Sequence, residues 1–302
     1  MISIIVPIKN EEGNITLLVE GIKENLKNED WEIIFIDDGS TDSSVQEVTD
    51  LKKKDKRIVL LTHRKSFGKG RALTTGFEKA NGEIIFFMDA DLQDDPNDLH
   101  KFLEKIRQGY DLVNGWRSKR QDDFIKTIPS RIGNKLILRS VLNSKFHDIN
   151  CGYKAMRREI LENISLYGDN FRFLPIIAEK EGYKTTEVPV EHHPRKFGTS
   201  KYGFFRRFSI FIDIFSAYFI YKFREKPLHF FGLVGGILFL SGFLPGLYMI
   251  IERMFFGRLL YNRPAFLLAM VLIIVGIQIL MTGIVAELMV YLKFSKSKKA
   301  EG

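Results

Sequence analysis

The sequence predicts an α/β domain with a parallel sheet, followed by two helices that cross a membrane. Three observations carry this prediction. Short β-rich runs alternate with helical patterns through the first part of the chain, as they do in parallel sheets. Two long apolar stretches follow, at 228–251 and 265–286. The β-rich run at 84–88 leads directly into a group of carboxylates, which indicates a ligand site at the carboxyl edge of the sheet.

The α/β pattern predicts strands and helices in alternation. β-branched and aromatic residues are concentrated in the runs predicted as strands, at 3–8, 31–36, 58–62, 84–88, 111–115 and 185–190. Helical spacing of apolar residues predicts helices at 14–26, 42–53, 70–80, 96–108, 131–142 and 171–181. Pro96 is favoured in a first helical turn, and Asp94 or Asp95 is expected to cap it.

The two apolar stretches predict a hairpin of membrane helices. Neither 228–251 nor 265–286 contains Asp, Glu, Lys or Arg, and each is long enough to cross the hydrocarbon core. The spans are therefore placed at about 228–251 and 265–290. Because the connector at 252–264 is short, the helices should be antiparallel.

Flanking charge predicts the orientation of this hairpin. Basic residues precede the first span at 222–226 and follow the second at 293–299, so both chain termini are expected in the cytoplasm. The difference in positive charge between the two sides of the membrane is reduced by three arginines in the connector, Arg253, Arg258 and Arg263. The N-terminus lacks the basic start of a signal peptide, so the α/β domain is also expected in the cytoplasm, at the inner membrane if the source is a prokaryote.

Small and polar residues in the spans have two interpretations. Gly232, Gly235 and Gly236 would allow close helix approach and a homo-oligomer, although ordinary packing explains any single glycine equally well. Glu287 is expected to make an interhelical or interfacial polar contact.

A third segment is expected between the α/β domain and the hairpin. Residues 202–224 combine Phe, Ile and Tyr with basic residues at both ends, which favours a helix lying on the membrane surface over one packed in a core. The predicted organisation is therefore a catalytic domain at 1–201, interfacial helices at 202–227, and a hairpin with a basic tail at 228–302.

Charge and cysteine content narrow the functional classes. The net charge of the 302-residue chain is +8, but many basic residues flank the membrane segments, which favours anionic lipid over nucleic acid as their partner. Cys151 is the only cysteine, so the chain has no internal disulfide.

Asp89 and Asp91 form the most informative local pattern. Alternation along an extended chain places both carboxylates on one side, where their like charges require a cation or a proton. Hard oxygen ligands at a strand end suit a metal bound to phosphate. Helix capping explains Asp94 or Asp95 but does not explain this pair.

Two other strand ends carry ligand-type residues, at 7–12 and 37–42. Carboxyl ends of parallel strands converge at one edge, which indicates a nucleotide crevice. The sequence has neither a dinucleotide fingerprint nor a Walker A loop. The basic, glycine-rich turn at 67–71, which contains Lys69, either contacts phosphate or is an ordinary solvated turn.

These motifs, taken in order, resemble glycosyltransferase family 2, whose members have the Rossmann-like GT-A fold. The resemblance rests on VPIKNEE at 6–12, IDDGSTD at 36–42, FGKGRAL at 67–73 and DADLQDDP at 89–96. Four further segments resemble the polyisoprenyl-phosphate glycosyltransferases within that family: GWR at 115–117, PSR at 129–131, DINCGYK at 148–154 and RKFGTSKY at 195–202.

The resemblance implies roles for individual residues. It implies donor binding by Pro7, Asn10, Glu11, Asp38, Lys69, Asp89 and Gln93, and coordination of Mg²⁺ or Mn²⁺ by Asp89, Asp91 and Gln93. It implies binding of the lipid phosphate by Arg117, Arg131, Arg195, Ser200 and Lys201. The implied catalytic residues are Asp89, Asp91, Arg117, Arg131 and Asp148. Asp148 is expected to be a positioning residue and not a catalytic base.

The implied reaction moves a hexose from a nucleotide diphosphate sugar to a polyisoprenyl phosphate with inversion. UDP-glucose and undecaprenyl phosphate are the expected substrates. GDP-mannose and UDP-N-acetylhexosamine remain alternative donors, and dolichyl phosphate an alternative acceptor. A processive polysaccharide synthase is disfavoured because the chain has no Gln-x-x-Arg-Trp motif. A membrane scaffold that senses nucleotide sugars is the non-enzymatic alternative.

Overall fold

The computed structural model of the chain describes residues 1–118, 145–166, 168, 170–193, 223, 226–257 and 264–300. The chain divides into two compact units, Met1–Asp213 and Ile214–Gly302. The predictions for a helix at 131–142 and for interfacial helices at 202–227 lie largely or wholly outside the described residues.

The first unit contains a seven-stranded mixed sheet in the order β3-β2-β1-β4-β6-β5-β7. Its strands are β1 (Ile2–Ile8), β2 (Trp31–Asp37), β3 (Ile58–Thr62), β4 (Ile84–Phe87), β5 (Leu112–Trp116), β6 (Lys154–Arg157) and β7 (Thr185–Pro189). β6 pairs antiparallel with both β4 and β5, whereas the other neighbouring strands pair in parallel. All strands except β6 therefore direct their carboxyl ends to the same edge.

Helices cover both faces of this sheet. They are α1 (Ile15–Asn25), α2 (Ser44–Lys54), α3 (Lys69–Lys79), α4 (Leu99–Arg107), α5 (Arg158–Asn163) and α6 (Leu174–Lys180), with 3₁₀ turns at Pro96–Asp98 and Asn170–Arg172. Residues of α1, α2 and α4 join one apolar cluster, and residues of α3, α5 and α6 join the other. Two covered faces explain why β1 and β2 are continuous apolar runs.

Close packing of α3 on the sheet depends on Gly76. A β-carbon at this position would lie 2.5 Å from Ile5 Cγ2 and 2.7 Å from Ile36 Cδ1. Only hydrogen fits between the helix and strands β1 and β2. Helix α3 begins at Lys69, the lysine of the glycine-rich turn singled out from the sequence.

The structure confirms the predicted α/β architecture and adds two elements that the sequence pattern missed. The predicted strands correspond to β1–β5 and β7, although β4 already ends at Phe87, so Asp89 and Asp91 lie in the loop that follows. β6 has only four residues, and its sequence of Lys, Ala, Met and Arg has no strong β propensity. The short helix α5 follows it directly.

The second unit contains two long helices, α7 (Pro227–Phe256) and α8 (Pro264–Ala300). The apolar windows at Pro227–Phe256 and Pro264–Leu292 have mean hydropathies of 2.0 and 2.6, and only 22% and 11% of them is buried. Both are long and apolar enough to cross a membrane. A core helix of a soluble domain would instead be mostly buried, so these two helices agree with the expected spans in length and apolar surface, and the crossing itself stays a prediction.

Glycines bring α7 and α8 into backbone contact. A β-carbon on Gly276 would lie 2.6 Å from the amide nitrogen of Phe239 and 2.9 Å from the carbonyl oxygen of Gly235. Of the three glycines singled out from the sequence, Gly235 lies in this contact, whereas Gly232 and Gly236 face open space. Small residues thus set the spacing of the two helices.

Glu287 makes the interhelical polar contact expected from the sequence. Its Oε2 accepts a hydrogen bond from the backbone N–H of Leu228 at 3.1 Å. Leu228 lies in the first turn of α7, where backbone N–H groups have no partner within their own helix. An acidic side chain on α8 therefore caps the start of α7.

Candidate active site

Asp89 lies just beyond the carboxyl end of β4, and its carboxylate forms an ion pair with Lys69 at the start of α3. Its side chain is about a third exposed, at 36%. Burial by itself would raise the pKa of Asp89, but the charge and hydrogen bond of Lys69, together with Arg117 and Lys154, lower it. The structure therefore places a negative charge at this strand end with a lysine beside it.

Asp91 lies in the same loop but is buried, with 8% of its surface exposed. Its Oδ1 accepts a hydrogen bond from the backbone N–H of Gln93 at 3.2 Å. Leu92, between them, has a φ of +56°, a left-handed conformation that is unusual for leucine. Such strain is typical of functional loops held by their surroundings, and here it turns the chain sharply between two of the predicted metal ligands.

The ligand chemistry of this loop fits a divalent ion. Two carboxylates, from Asp89 and Asp91, and the side-chain amide of Gln93 supply hard oxygen atoms, which Mg²⁺ and Mn²⁺ prefer. Among the described residues, no group of three or more His, Cys, Asp or Glu side chains converges as a metal cage. The pair of carboxylates suits Mg²⁺-type binding, in which one or two protein carboxylates act together with substrate phosphates.

The loops after β1 and β2 are tied to each other. Asn10 adopts a φ of +52° and accepts a hydrogen bond from Thr41 N–H at 2.7 Å through its side-chain oxygen. Its own N–H donates to Ser40 Oγ at 3.0 Å, and Glu11 N–H donates to Ser44 Oγ at 2.8 Å. Pro7 lies within β1, opposite Ile36 of β2. Predicted donor residues from two strands are thus brought to one edge.

Asp38, another predicted donor residue, organises the loop before Lys69. Its carboxylate accepts hydrogen bonds from the Ser66 hydroxyl at 2.7 Å and from the backbone N–H groups of Phe67 and Gly68 at 2.8 Å each, and it contacts His63 Nδ1 at 2.8 Å. Burial opposes ionisation, but these hydrogen bonds lower the pKa of Asp38. No sequence pattern predicted this cluster, because its members lie 25–30 positions from Asp38 in the chain.

Arg117 and Asp148 form a second charged pair beyond the end of β5. Arg117 Nε donates to Asp148 Oδ2 at 2.7 Å and Nη2 donates to Oδ1 at 3.1 Å, a bidentate arrangement. Their side chains are 12% and 8% exposed. Burial would lower the pKa of Arg117, but the negative charge of Asp148 raises it above the ordinary value. The guanidinium is therefore a fixed positive charge.

The remaining predicted acceptor residues cannot be placed relative to this pair. Arg131, Arg195, Ser200 and Lys201 lie outside the described residues. The segment just before 194 is placed, and it is joined to the acidic loop. His193 N–H donates to Gln93 O at 2.9 Å, and His193 Nε2 lies 3.1 Å from Asp95 Oδ2.

Asp95 also performs the capping role predicted for Asp94 or Asp95. Its Oδ1 accepts a hydrogen bond from the N–H of Asn97 at 2.9 Å, at the start of the Pro96–Asp98 turn. The sequence analysis missed His193 as a partner of this loop. Adjacent histidines at 192 and 193 were the only available signal, and nothing in their spacing related them to residues about a hundred positions earlier.

Fold and site together define a glycosyltransferase of the GT-A type: a mixed sheet covered by helices, with a carboxylate loop following its fourth strand and a second charged pair beside it. The chain belongs to glycosyl transferase family 2, whose family model matches residues 3–165. The family resemblance inferred from the four motifs is confirmed.

Full-length relatives extend this assignment beyond the α/β domain. The chain is 34% identical over 296 residues to the dodecaprenyl-phosphate galacturonate synthase of Rhizobium johnstonii, covering 95% of this chain and 87% of the relative. It is 32% identical over 290 residues to the undecaprenyl-phosphate 4-deoxy-4-formamido-L-arabinose transferase of Pectobacterium atrosepticum, with the same coverages. Both matches include the length of the C-terminal helices.

Solved structures agree with the fold. A mannosyltransferase from Pyrobaculum calidifontis in complex with GDP-Man and Mn²⁺ aligns with a TM-score of 0.53 at 21% identity, covering 74% of this chain and 64% of that chain. A glucosyl-3-phosphoglycerate synthase from Mycobacterium tuberculosis in complex with Mn²⁺, UDP and phosphoglyceric acid aligns with a TM-score of 0.50 at 21% identity, covering 65% and 71%. At this identity the similarity establishes the GT-A architecture.

Proposed function

We propose that the protein transfers a sugar from a nucleotide diphosphate sugar to the phosphate of a polyprenol. The observation that carries the proposal is the placement of two charged pairs at one sheet edge, Lys69 with Asp89 and Arg117 with Asp148. One pair suits a donor diphosphate and its metal ion, and the other suits a second anion. The names of the relatives, which specify polyprenyl-phosphate products, support the same acceptor class.

The donor half of the site consists of the loops after β1, β2 and β4. Asp89, Asp91 and Gln93 would hold Mg²⁺ or Mn²⁺, which when bound neutralises charge on the departing nucleotide diphosphate. Lys69 adds a positive charge beside Asp89. Asn10 and Glu11 line the crevice that receives the nucleotide, and Asp38 holds the loop that leads into Lys69.

The acceptor half requires charge compensation more than base catalysis. A polyprenyl phosphate is already ionised near neutral pH, so its oxygen can attack without first losing a proton to a strong base. Arg117 attracts that phosphate, and Asp148 fixes the direction of its guanidinium through both oxygens. Arg131, Arg195, Ser200 and Lys201 complete the phosphate site in this proposal. Holding two anions together supplies most of the rate enhancement.

Attack from the side opposite the leaving diphosphate inverts the anomeric centre. An α-linked donor then gives a β-linked lipid product. The C–O bond to the diphosphate breaks as the bond to the lipid phosphate forms, and the nucleotide diphosphate leaves with the electron pair. No covalent enzyme intermediate is required, which agrees with the absence of a dedicated nucleophile from the proposed roles.

UDP-glucose remains the donor proposed from the motif resemblance, with undecaprenyl phosphate as acceptor. The relatives named above carry galacturonate and 4-deoxy-4-formamido-L-arabinose in their names, so nucleotide derivatives of those sugars compete directly with UDP-glucose. GDP-mannose and UDP-N-acetylglucosamine complete the set of donors to be compared. The proposal for the reaction class does not depend on which donor succeeds.

Membrane placement follows from the acceptor. We place the α/β unit and both termini in the cytoplasm, with α7 and α8 crossing the bilayer as a hairpin. Nucleotide sugars are soluble, and polyprenyl phosphates reside in the membrane, so an enzyme that joins them must work at its surface. Cysteine-accessibility mapping of single cysteines at the two termini, in a Cys151→Ser background, tests this orientation: labelling from outside intact cells would contradict it.

The reaction is tested with full-length protein in nanodiscs that contain undecaprenyl phosphate. The donor panel is supplied with Mn²⁺ or Mg²⁺, and lipid products are identified by mass. A sugar-phosphate lipid from at least one donor is expected, and EDTA or the Asp91→Asn substitution should abolish it. If no donor gave such a lipid, the transferase proposal would be refuted. Tight donor binding without transfer would favour the sensing scaffold instead.

A further inference from the structure

Lys154 is a buried lysine whose hydrogen-bond acceptors, within the part of the chain that the structure describes, are neutral oxygen atoms. It is fully buried in β6, and its Nζ donates to Asn114 Oδ1 at 2.5 Å, to Cys151 O at 2.5 Å and to Ile149 O at 3.2 Å. Burial lowers the pKa of Lys154 to about 8. Moving an ammonium group from water into a protein interior costs on the order of several kcal/mol, and an apolar side chain would avoid that cost. The lysine therefore needs a reason beyond filling space.

Its hydrogen bonds connect one loop to one strand. Ile149 and Cys151 belong to the segment 148–152, which precedes β6, whereas Asn114 belongs to β5. Asn114 extends the connection, because its Nδ2 donates to Asp148 O at 2.7 Å and to Gly115 O at 2.9 Å. Three backbone carbonyls of the loop are thus fixed by two buried side chains.

The two ends of this loop reach the two halves of the site. At one end, the Asp148 side chain binds Arg117 through both oxygens. At the other end, a β-carbon on Gly152 would lie 2.7 Å from Asp89 Oδ2 and 3.0 Å from Lys69 Nζ. The loop therefore spans the distance between the proposed acceptor pair and the proposed donor pair, and its backbone is held by Lys154 between them.

We propose that Lys154 and Asn114 are positioning residues that fix segment 148–152 and thereby align the acceptor arginine with the donor carboxylate. The inference rests on the proposed function, because it assigns the loop to the alignment of donor and acceptor. Neither residue touches a substrate. They act through the carbonyl groups of Asp148, Ile149 and Cys151, which accept their hydrogen bonds.

The first variant is Lys154→Met, which keeps length and apolar volume and removes the three donated hydrogen bonds. In the full-length protein in nanodiscs, kcat/KM for polyprenyl phosphate should fall about 100-fold, the scale expected for a misplacement near 1 Å. The KM for the acceptor should rise. A purely structural role would instead reduce the amount of folded enzyme, which lowers apparent kcat and leaves KM unchanged.

The second variant, Asn114→Asp, preserves shape and retains an acceptor for Lys154. It removes the donor to Asp148 O and Gly115 O, so the loop should loosen at its Asp148 end and the acceptor KM should again rise. Lys105→Met is the matched control: Lys105 is a lysine of α4 whose Nζ donates to the exposed side chain of Gln108, and its substitution should leave both kinetic constants unchanged.

Cys151 provides a readout that does not require activity. It is the only cysteine in the chain, its side chain is buried, and burial raises the pKa of its thiol to about 12, so reaction with a maleimide should be slow. Because Lys154 holds Cys151 O, Lys154→Met should increase the labelling rate by at least about tenfold if the loop opens by local fluctuation. Lys105→Met should not change it.

The outcomes separate the two proposals. Unchanged acceptor KM and unchanged Cys151 labelling in both variants would overturn the positioning role, as would failure of both variants to fold, which would make Lys154 a stability residue. If the wild-type protein transferred no sugar but Cys151 were labelled faster in the variants, the transferase proposal would be refuted. The role of Lys154 and Asn114 in holding segment 148–152 would still be supported.

Discussion

Gly152 lies so close to Asp89 that a side chain on its α-carbon would displace the Asp89 carboxylate. An added β-carbon would lie 2.7 Å from the Asp89 carboxylate oxygen Oδ2 and 3.1 Å from its Cγ. The backbone of segment 148–152 is therefore one wall of the proposed metal site. Any group larger than hydrogen at this position must displace the carboxylate, the loop or both.

Gly152→Ala should reduce transfer without unfolding the protein. The backbone conformation of Gly152 is open to alanine, since its φ is not positive. Displacement of Asp89 should lower kcat by about 10²-fold, the scale expected for a misplacement near 1 Å. Rates of product formation and the thermal denaturation midpoint are the measurements. Gly236→Ala, which faces open space, is the control, and a fully active Gly152→Ala would contradict the geometry.

Lys69→Met should weaken donor binding more than acceptor binding. The ammonium group pairs with Asp89 at the start of α3, next to the position proposed for the diphosphate. Loss of one charge-assisted contact should raise the donor Kd by about 10-fold, corresponding to about 1.5 kcal/mol. Titration with the nucleotide diphosphate and Mn²⁺ measures this change directly.

Lys79→Met provides the control for this prediction, because Lys79 lies at the other end of α3 and is exposed. If Lys69→Met raised the acceptor KM and left the donor Kd unchanged, Lys69 would belong to the acceptor half and the assignment would be reversed.

Asp38 should make stability depend on pH in the acidic range. Its pKa in the folded protein lies below the ordinary value of 3.8, so the unfolded chain binds more protons as the pH falls. The stabilisation is complete above the unfolded pKa and is lost as the pH falls through the folded one. At neutral pH, Asp38→Asn should cost about 1–3 kcal/mol, since its NH2 group would replace an oxygen that accepts from one of the two backbone donors.

Tryptophan fluorescence during denaturation reports on this change, since both tryptophans, Trp31 and Trp116, lie in the sheet. The stability difference between wild type and Asp38→Asn should shrink below pH 4. Asp30→Asn, at an exposed position, should leave the profile unchanged. A difference that stays constant down to pH 2 would show that the Asp38 charge does not contribute.

Gly276→Leu should separate α7 from α8. The new side chain would meet Phe239 N at 2.6 Å and Gly235 O at 2.9 Å, neither of which can rotate away because both are backbone atoms. Overpacking of this kind costs about 1–3 kcal/mol. Disulfide crosslinking between single cysteines placed on the two helices should decrease in the variant, and Gly232→Leu, which faces open space, should crosslink like the parent protein.

Sequence patterns located the loops proposed for the donor half of the site because these loops follow strands with strong β propensity. Ile84–Phe87 and the carboxylates behind it can be recognised from local composition alone. The acceptor half depends on contacts that local patterns do not encode. Lys154 has the composition of a surface residue, yet it is buried because β6 inserts between β4 and β5. Neither its burial nor its partner Asn114 can be inferred without that pairing.

Asp38 illustrates the same limit within a correctly predicted loop. Its position after β2 was predicted, and the motif resemblance implied nucleotide binding. The structure shows its carboxylate engaged with Ser66, Phe67 and Gly68, an arrangement that depends on how the chain returns after β3. Direct contact between Asp38 and the nucleotide stays a prediction, whereas its hold on the loop before α3 is a property of the fold.

Helix α4 separates the proposed donor residues from the proposed acceptor residues along the chain, and this order has a consequence for the evolution of the enzyme. All proposed donor residues precede Asp94 in the chain, and all proposed acceptor residues follow Asp111, with α4 between them. A single genetic crossover within α4 would therefore join the proposed donor residues of one parent to the proposed acceptor residues of the other. Chimeras with the relatives, joined in α4, offer a direct route to new pairs of sugar and lipid.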